Sequence, residues 1–120
     1  NHASFVRQAI PMLFRPVNRK RFRDGVNWVK NQALKTPVQG IIAALSGMRD
    51  RPDREILLKF PPYPVHIIAG EKDPRIPLQE SVEMSEISEH VRLHLIHGSG
   101  HMGYIEAPKQ TLEALTTALN

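Results

Sequence analysis

Two short apolar runs near the end of the chain constrain its fold more than any other feature. The first, VHIIA at residues 65–69, is rich in β-branched residues and stops at Gly70. The second, VRLHLI at Val91–Ile96, stops at the small loop Gly98-Ser99-Gly100. Runs this short, bounded by glycine, read as buried strands. A helix opened by Pro77 and running to about Ile87 separates them. Another, Pro108–Leu119, follows the second run and is expected to bury Leu112, Leu115 and Leu119. Strands joined through a helix lie parallel, with a right-handed crossover. A parallel pair does not stand alone, because such sheets are covered on both faces and have further strands beside them. The fold class is therefore α/β, and this tail reads as the end of a larger sheet.

The residues before the proline cluster Pro61-Pro62-Tyr63-Pro64 follow a different period. Phe5, Val6, Ala9, Ile10, Leu13 and Phe14 recur at helical spacing, and Pro11 should segment that helix. Asp24 is placed to cap a second helix carrying Val26, Val29 and Ala33, with Trp28 on its flank. Thr36, Pro37 and Gln39 have the pattern of a capping box before a third helix, whose stripe is Val38, Ile41, Ile42 and Leu45. A short helix from Glu55 to Lys59 completes the set. The chain thus divides into a helical segment, 1–60, and a strand-helix-strand-helix segment, 61–120.

Composition narrows the chemistry. The 120 residues are 41% hydrophobic, enough for a core, and include no cysteine. Disulfides, thiolate metal sites and a cysteine nucleophile are excluded. The same absence fits a reducing compartment, and a cytoplasmic location is the expectation. No apolar run approaches the roughly 18 residues that span a bilayer. The first residue is Asn1 and not Met, so the natural protein is expected to start further upstream. Much of the net charge of +4 sits in Arg15, Arg19, Lys20, Arg21 and Arg23, with Phe14 and Phe22 nearby. Such a run suits phosphate or nucleic acid. No basic stripe continues it, so it reads as a solvated turn between helices, and nucleic acid is not an expected partner.

Each strand delivers one ionisable residue just past its C-terminal end: Asp73 after Gly70, and His101 after Gly100. Sites in open α/β sheets gather at the carboxyl ends of strands. Adjacent parallel strands bring the two loops together although 28 positions separate them. A carboxylate that accepts a hydrogen bond from one imidazole nitrogen fixes the tautomer and leaves the other nitrogen as a base. His94, His97 and His101 invite a metal reading, but residues three apart on a strand point to opposite faces. No carboxylate has suitable spacing, so no metal is expected. His66 and His94 each lie seven residues before the acid and base candidates and fall near each other on neighbouring strands. His2 and His90 look exposed.

PVHIIAGEKDPRIP followed by LHLIHGSGHMGYIEAP resembles the C-terminal segment of α/β-hydrolase-fold enzymes. Gly70-Glu71-Lys72-Asp73 is similar to the family's acid loop, and Gly100-His101-Met102 to its histidine loop. Glu106 and Pro108 resemble the start of its final helix, and the upstream residues, including GIIAALSGMRDRPDRE, resemble its helical cap. The resemblance implies the C-terminal part of an α/β-hydrolase fold: a cap segment, then two parallel strands alternating with helices. It also implies a catalytic triad in which Asp73 and His101 are the acid and the base.

The third member is not visible. The family's nucleophile sits on a strained elbow that precedes the acid and the histidine. Ser46 follows a helical stripe and not a strand, and Ser99 lies two residues from His101 after the same strand. The nucleophile, Ser or Asp, and the oxyanion hole are therefore expected upstream. The implied function is hydrolysis of an ester or similar acyl bond in a small-molecule substrate, without a cofactor, by the longer parent. These 120 residues alone are expected to be inactive. A non-catalytic binding or assembly module derived from the fold is the alternative. Phe5, Met12, Phe14 and Trp28 are candidates for lining the acyl pocket, or else form core between cap helices. Self-association, or union with the missing N-terminal half, is expected.

Overall fold

The computed structural model describes all 120 residues. Helix α1 (His2–Ala9) begins where the Asn1 side chain accepts a hydrogen bond from the Ser4 amide at 2.9 Å. Pro11 segments it, and the chain continues as a 3-10 turn, Ile10–Leu13. Short α2 (Asn18–Arg21) and longer α3 (Arg23–Lys35) follow. Asp24 lies in the first turn of α3 and makes no capping bond. The expected capping box at Thr36 does not form. The Thr36 hydroxyl donates back to the Gln32 carbonyl at 3.2 Å, closing α3, and Pro37 takes the position before α4 (Val38–Asp50). A threonine that finds a carbonyl one turn behind it ends one helix and does not start the next.

After a second 3-10 turn, Glu55–Leu58, the period changes at the prolines. Strand β1 (Val65–Gly70), helix α5 (Leu78–Ser85), strand β2 (Val91–Ile96), short α6 (Gly103–Glu106) and α7 (Pro108–Leu119) complete the chain. The strands pair in parallel, in register from Val65 opposite Val91 to Gly70 opposite Ile96. They form the whole sheet, so each keeps one unpaired edge. Helices α5 and α7 both pack against the two strands.

Helix α7 meets the sheet with its small residues. Ala107, just before the helix, and Ala114 pack on Ile96, with Thr111 and Ala118 half-buried along the same stripe. The expectation for the leucines is therefore overturned. Leu112, Leu115 and Leu119 are 63%, 45% and 78% exposed. The stripe facing a sheet only two strands wide is too narrow to include them.

The other core cluster joins the two segments of the chain. Phe14, just past the 3-10 turn, and Val26 of α3 pack with Met102 from the loop after β2, flanked by Ile10, Leu13, Val29 and Ile105. Only 13 of the 120 residues are buried, and α4 contains none of them. The helical layer is thus anchored through α1, α3 and the turn between them, while α4 stands apart with Ile42, Leu45 and Met48 facing outward.

Candidate active site

The loops after β1 and β2 are stacked backbone against backbone. Both contact positions are glycine for a steric reason. A Cβ on Gly70 would collide with the Gly100 carbonyl oxygen, and one on Gly100 would sit 3.0 Å from the Phe14 carbonyl carbon and closer still to the Arg15 amide. Three chain segments therefore meet where any larger residue would hold them apart. Gly98, at φ 73°, makes the left-handed turn that starts the second loop.

Hydrogen bonds then zip the two loops together. The Lys72 amide donates to the Ser99 carbonyl at 2.8 Å, and the Glu71 amide to the Ile96 carbonyl at 3.0 Å. The Glu71 carboxylate accepts from the Gly98 amide at 2.9 Å. This bond holds the Glu71 pKa below the usual carboxylate range, with smaller help from the charges of Lys72, His97 and Arg15. Folding lowers this pKa, so the stabilisation is present above the ordinary carboxylate range and is lost as pH falls through the lowered value. Glu71→Gln is expected to remove that share of acid lability. Thermal unfolding midpoints measured from about pH 6 down to about pH 3 should change less in the variant than in the wild type. Parallel curves would show that Glu71 does not couple to folding.

This zipper brings the two ionisable candidates together. Asp73 Oδ1 accepts from the Arg75 amide at 2.7 Å and the Ile76 amide at 3.0 Å, which fixes the carboxylate in a local turn. Its Oδ2 lies 2.7 Å from His101 Nδ1. The Asp73 side chain is 9% exposed and that of His101 41%. A carboxylate only accepts, so Nδ1 carries the hydrogen, and Nε2 of the neutral ring offers its lone pair outward. The His101 amide donates to the Leu13 carbonyl at 2.9 Å, so the backbone under the ring is also held.

An open groove of about 440 Å³ runs from this pair along the unpaired edge of β1. Ile67 and Ile68 line it with Ile76 and Met84 on one flank and Gly103 and Tyr104 on the other. None of the four residues expected to line a pocket borders this groove. Phe14 lies wholly in the core, while Phe5, Met12 and Trp28 are about half exposed on the helical layer. Ser99 is fully buried and donates its hydroxyl to the Gly100 carbonyl at 3.2 Å, away from any base.

The remaining histidines have separate partners. His66 Nδ1 and His94 Nε2 are 2.8 Å apart with their rings stacked, as their diagonal positions on one sheet face require. His97 Nδ1 lies 3.8 Å from the Glu71 carboxylate. His2 is half-buried, contrary to expectation, and its Nε2 is enclosed without a partner. In the basic run, Arg15 donates to the Gly98 carbonyl, Arg19 to the Pro11 carbonyl, and Arg21 lies over the Phe22 ring. Sequence reasoning missed the buried group beneath the histidine loop. Glu106 and Asn18 are joined side chain to side chain at 2.9 Å across 88 positions. No local pattern signals such a pair.

No protein-family model matches the sequence, and no curated protein matches it either. Solved structures do share its fold. A thermophilic esterase from Thermogutta terrifontis superposes with a TM-score of 0.88 at 24% identity, over 97% of this chain and 43% of that one. A bromoperoxidase from Bacillus anthracis gives 0.83 at 20% identity, over 99% of this chain and 44% of that one. An esterase from Exiguobacterium antarcticum gives 0.80 at 21% identity, over 99% and 43%. The chain thus spans less than half the length of each structure.

Proposed function

This chain has the fold of the C-terminal part of an α/β hydrolase, and from that premise we propose that Asp73 and His101 are the acid and base of a hydrolase triad. The bond attacked is an ester or similar acyl bond of a small molecule. The nucleophile belongs to a segment N-terminal to Asn1. The observation that carries this reading is the 2.7 Å bond from His101 Nδ1 to an Asp73 carboxylate otherwise fixed by two backbone amides. Nothing about packing asks for that arrangement at the open end of a sheet.

The chemistry follows from the geometry. With Nδ1–H held by Asp73, Nε2 takes the proton of the nucleophile's hydroxyl as its oxygen attacks the acyl carbon. The imidazolium so formed is stabilised by the carboxylate, which stays ionised. Collapse of the tetrahedral intermediate breaks the acyl–oxygen bond, and His101 returns the proton to the leaving alkoxide. Water repeats the cycle against the acyl-enzyme. The esterases among the structural neighbours support the acyl class.

Purified 120-residue chain is expected to show no turnover of a nitrophenyl ester above buffer, while a chain extended upstream in its own gene hydrolyses it. Turnover by the short chain, abolished by His101→Ala, would place a nucleophile within these residues. An extended chain inactive on a panel of activated esters would favour the binding module and overturn the reading.

A further inference from the structure

Beneath the histidine loop lies a polar group that the proposed chemistry does not use. Glu106 is 7% exposed and Asn18 is 5% exposed. A carboxylate is seldom buried unless every oxygen is satisfied. Here Oε1 accepts from the Arg15 amide at 2.8 Å and from Asn18 Nδ2 at 2.9 Å, and Oε2 accepts from the Met102 amide at 3.1 Å. Asn18 Nδ2 also donates to the Gly98 carbonyl at 3.1 Å. The partners are neutral N–H groups, and no lysine, arginine or histidine side chain forms an ion pair with Glu106.

The connections surround one residue. Gly98 and Met102 are the two ends of the loop that carries His101. Asn18 holds the first end and Glu106 the second, and the two hold each other. Between them the His101 amide is tied to Leu13 of the same helical layer. The His101 backbone therefore has little freedom to slide relative to the loop after β1, where Asp73 is anchored.

We propose that Glu106 and Asn18 form a buried latch that positions the His101 ring on Asp73, so that the helical layer sets the geometry of the acid–base pair. Both are positioning residues, acting through the Gly98 and Met102 backbone and touching no substrate. The latch rests on the reading of Asp73–His101 as a functional pair, yet it is separable from it by experiment.

The test uses the upstream-extended chain with its histidine rings labelled, and follows the Nδ1–H resonance of His101 by NMR. Asp73→Asn measures how far the carboxylate displaces that resonance, as the 2.7 Å bond to Nδ1 requires. The same substitution is then repeated in Glu106→Gln and in Asn18→Ala. The expected result is that the Asp73-dependent displacement shrinks by at least half in Glu106→Gln and by less in Asn18→Ala. Ala114→Gly, which loosens the core cluster under α7, should leave it unchanged at a comparable loss of thermal stability. No displacement by Asp73→Asn in the wild-type background would sink the pair reading itself, and the latch with it. A wild-type displacement that persists in folded Glu106→Gln and Asn18→Ala would sink the latch alone. Unfolding of both variants would also overturn it, because the two residues would then serve stability and not position.

Discussion

Replacing His101 with alanine in an upstream-extended, active chain is expected to lower kcat by roughly 10⁴- to 10⁶-fold and to leave KM almost unchanged. The size follows from what the ring does. Without Nε2 the nucleophile must lose its proton to water, and the leaving alkoxide must depart unprotonated. Substrate binding should change little, because the ring lines only one end of the groove and its apolar walls, Ile67, Ile68, Ile76 and Met84, remain. Asp73→Asn should cost roughly 10⁴-fold, since an amide in that position accepts from Nδ1–H only in one orientation and offers no charge to the imidazolium. Its Oδ1 side would still receive the Arg75 and Ile76 amides, so folding should survive. Steady-state kinetics on a nitrophenyl ester, with circular dichroism to verify the fold, provides the comparison. A loss under about ten-fold for His101→Ala would remove the residue from the chemistry.

The second large effect concerns the 120-residue chain itself, which is expected to self-associate at micromolar concentration or to bind the upstream half supplied as a separate chain. Strand β1 has a partner on one side only, and its other side presents N–H and C=O groups into the groove beside Ile67 and Ile68. An edge of this kind accepts a further strand. Elsewhere Ile42, Leu45, Met48, Ile56 and Leu57 are about half exposed or more, and Phe60 is 90% exposed. Covering six such side chains, already partly shielded, contributes on the order of 6–9 kcal/mol. Association costs roughly 4–15 kcal/mol before any contact is counted. The apolar faces alone are therefore marginal, and strand pairing along β1 decides the outcome. Sedimentation equilibrium is the measurement. A single 13.6 kDa species throughout the micromolar range would show that the chain closes its own core, and the placement of further strands beside β1 would be withdrawn. Addition of the upstream half should convert self-associated species to a one-to-one complex.

The strands, their order and their parallel pairing were legible because each rests on a local signal. A short apolar run that ends at a glycine loop makes a strand, and a helix between two such runs makes the pair parallel. The two ionisable residues were legible for the same reason, since each follows its strand by a fixed small number of positions. Local signals failed where a competing partner lay outside the window. Thr36 has the sequence of an N-cap, yet its hydroxyl finds the Gln32 carbonyl first. The α7 leucines have the spacing of a buried stripe, yet the two-stranded sheet meets Ala107 and Ala114 instead. Burial is a property of what lies opposite, and no spacing rule contains that.

What the sequence determined by itself is a parallel strand pair whose carboxyl ends carry Asp73 and His101. Short glycine-bounded runs leave the backbone few other ways to satisfy its hydrogen bonds. What only the tertiary structure decided is that the carboxylate and the ring meet at 2.7 Å. That distance depends on Gly70 and Gly100 touching, on Glu71 holding Gly98, and on Asn18 reaching Glu106 across 88 positions. Contacts at such separation depend on the packing of Phe14 and Val26 against Met102, because apolar burial offsets the entropy of ordering the distant segments that a buried polar pair joins.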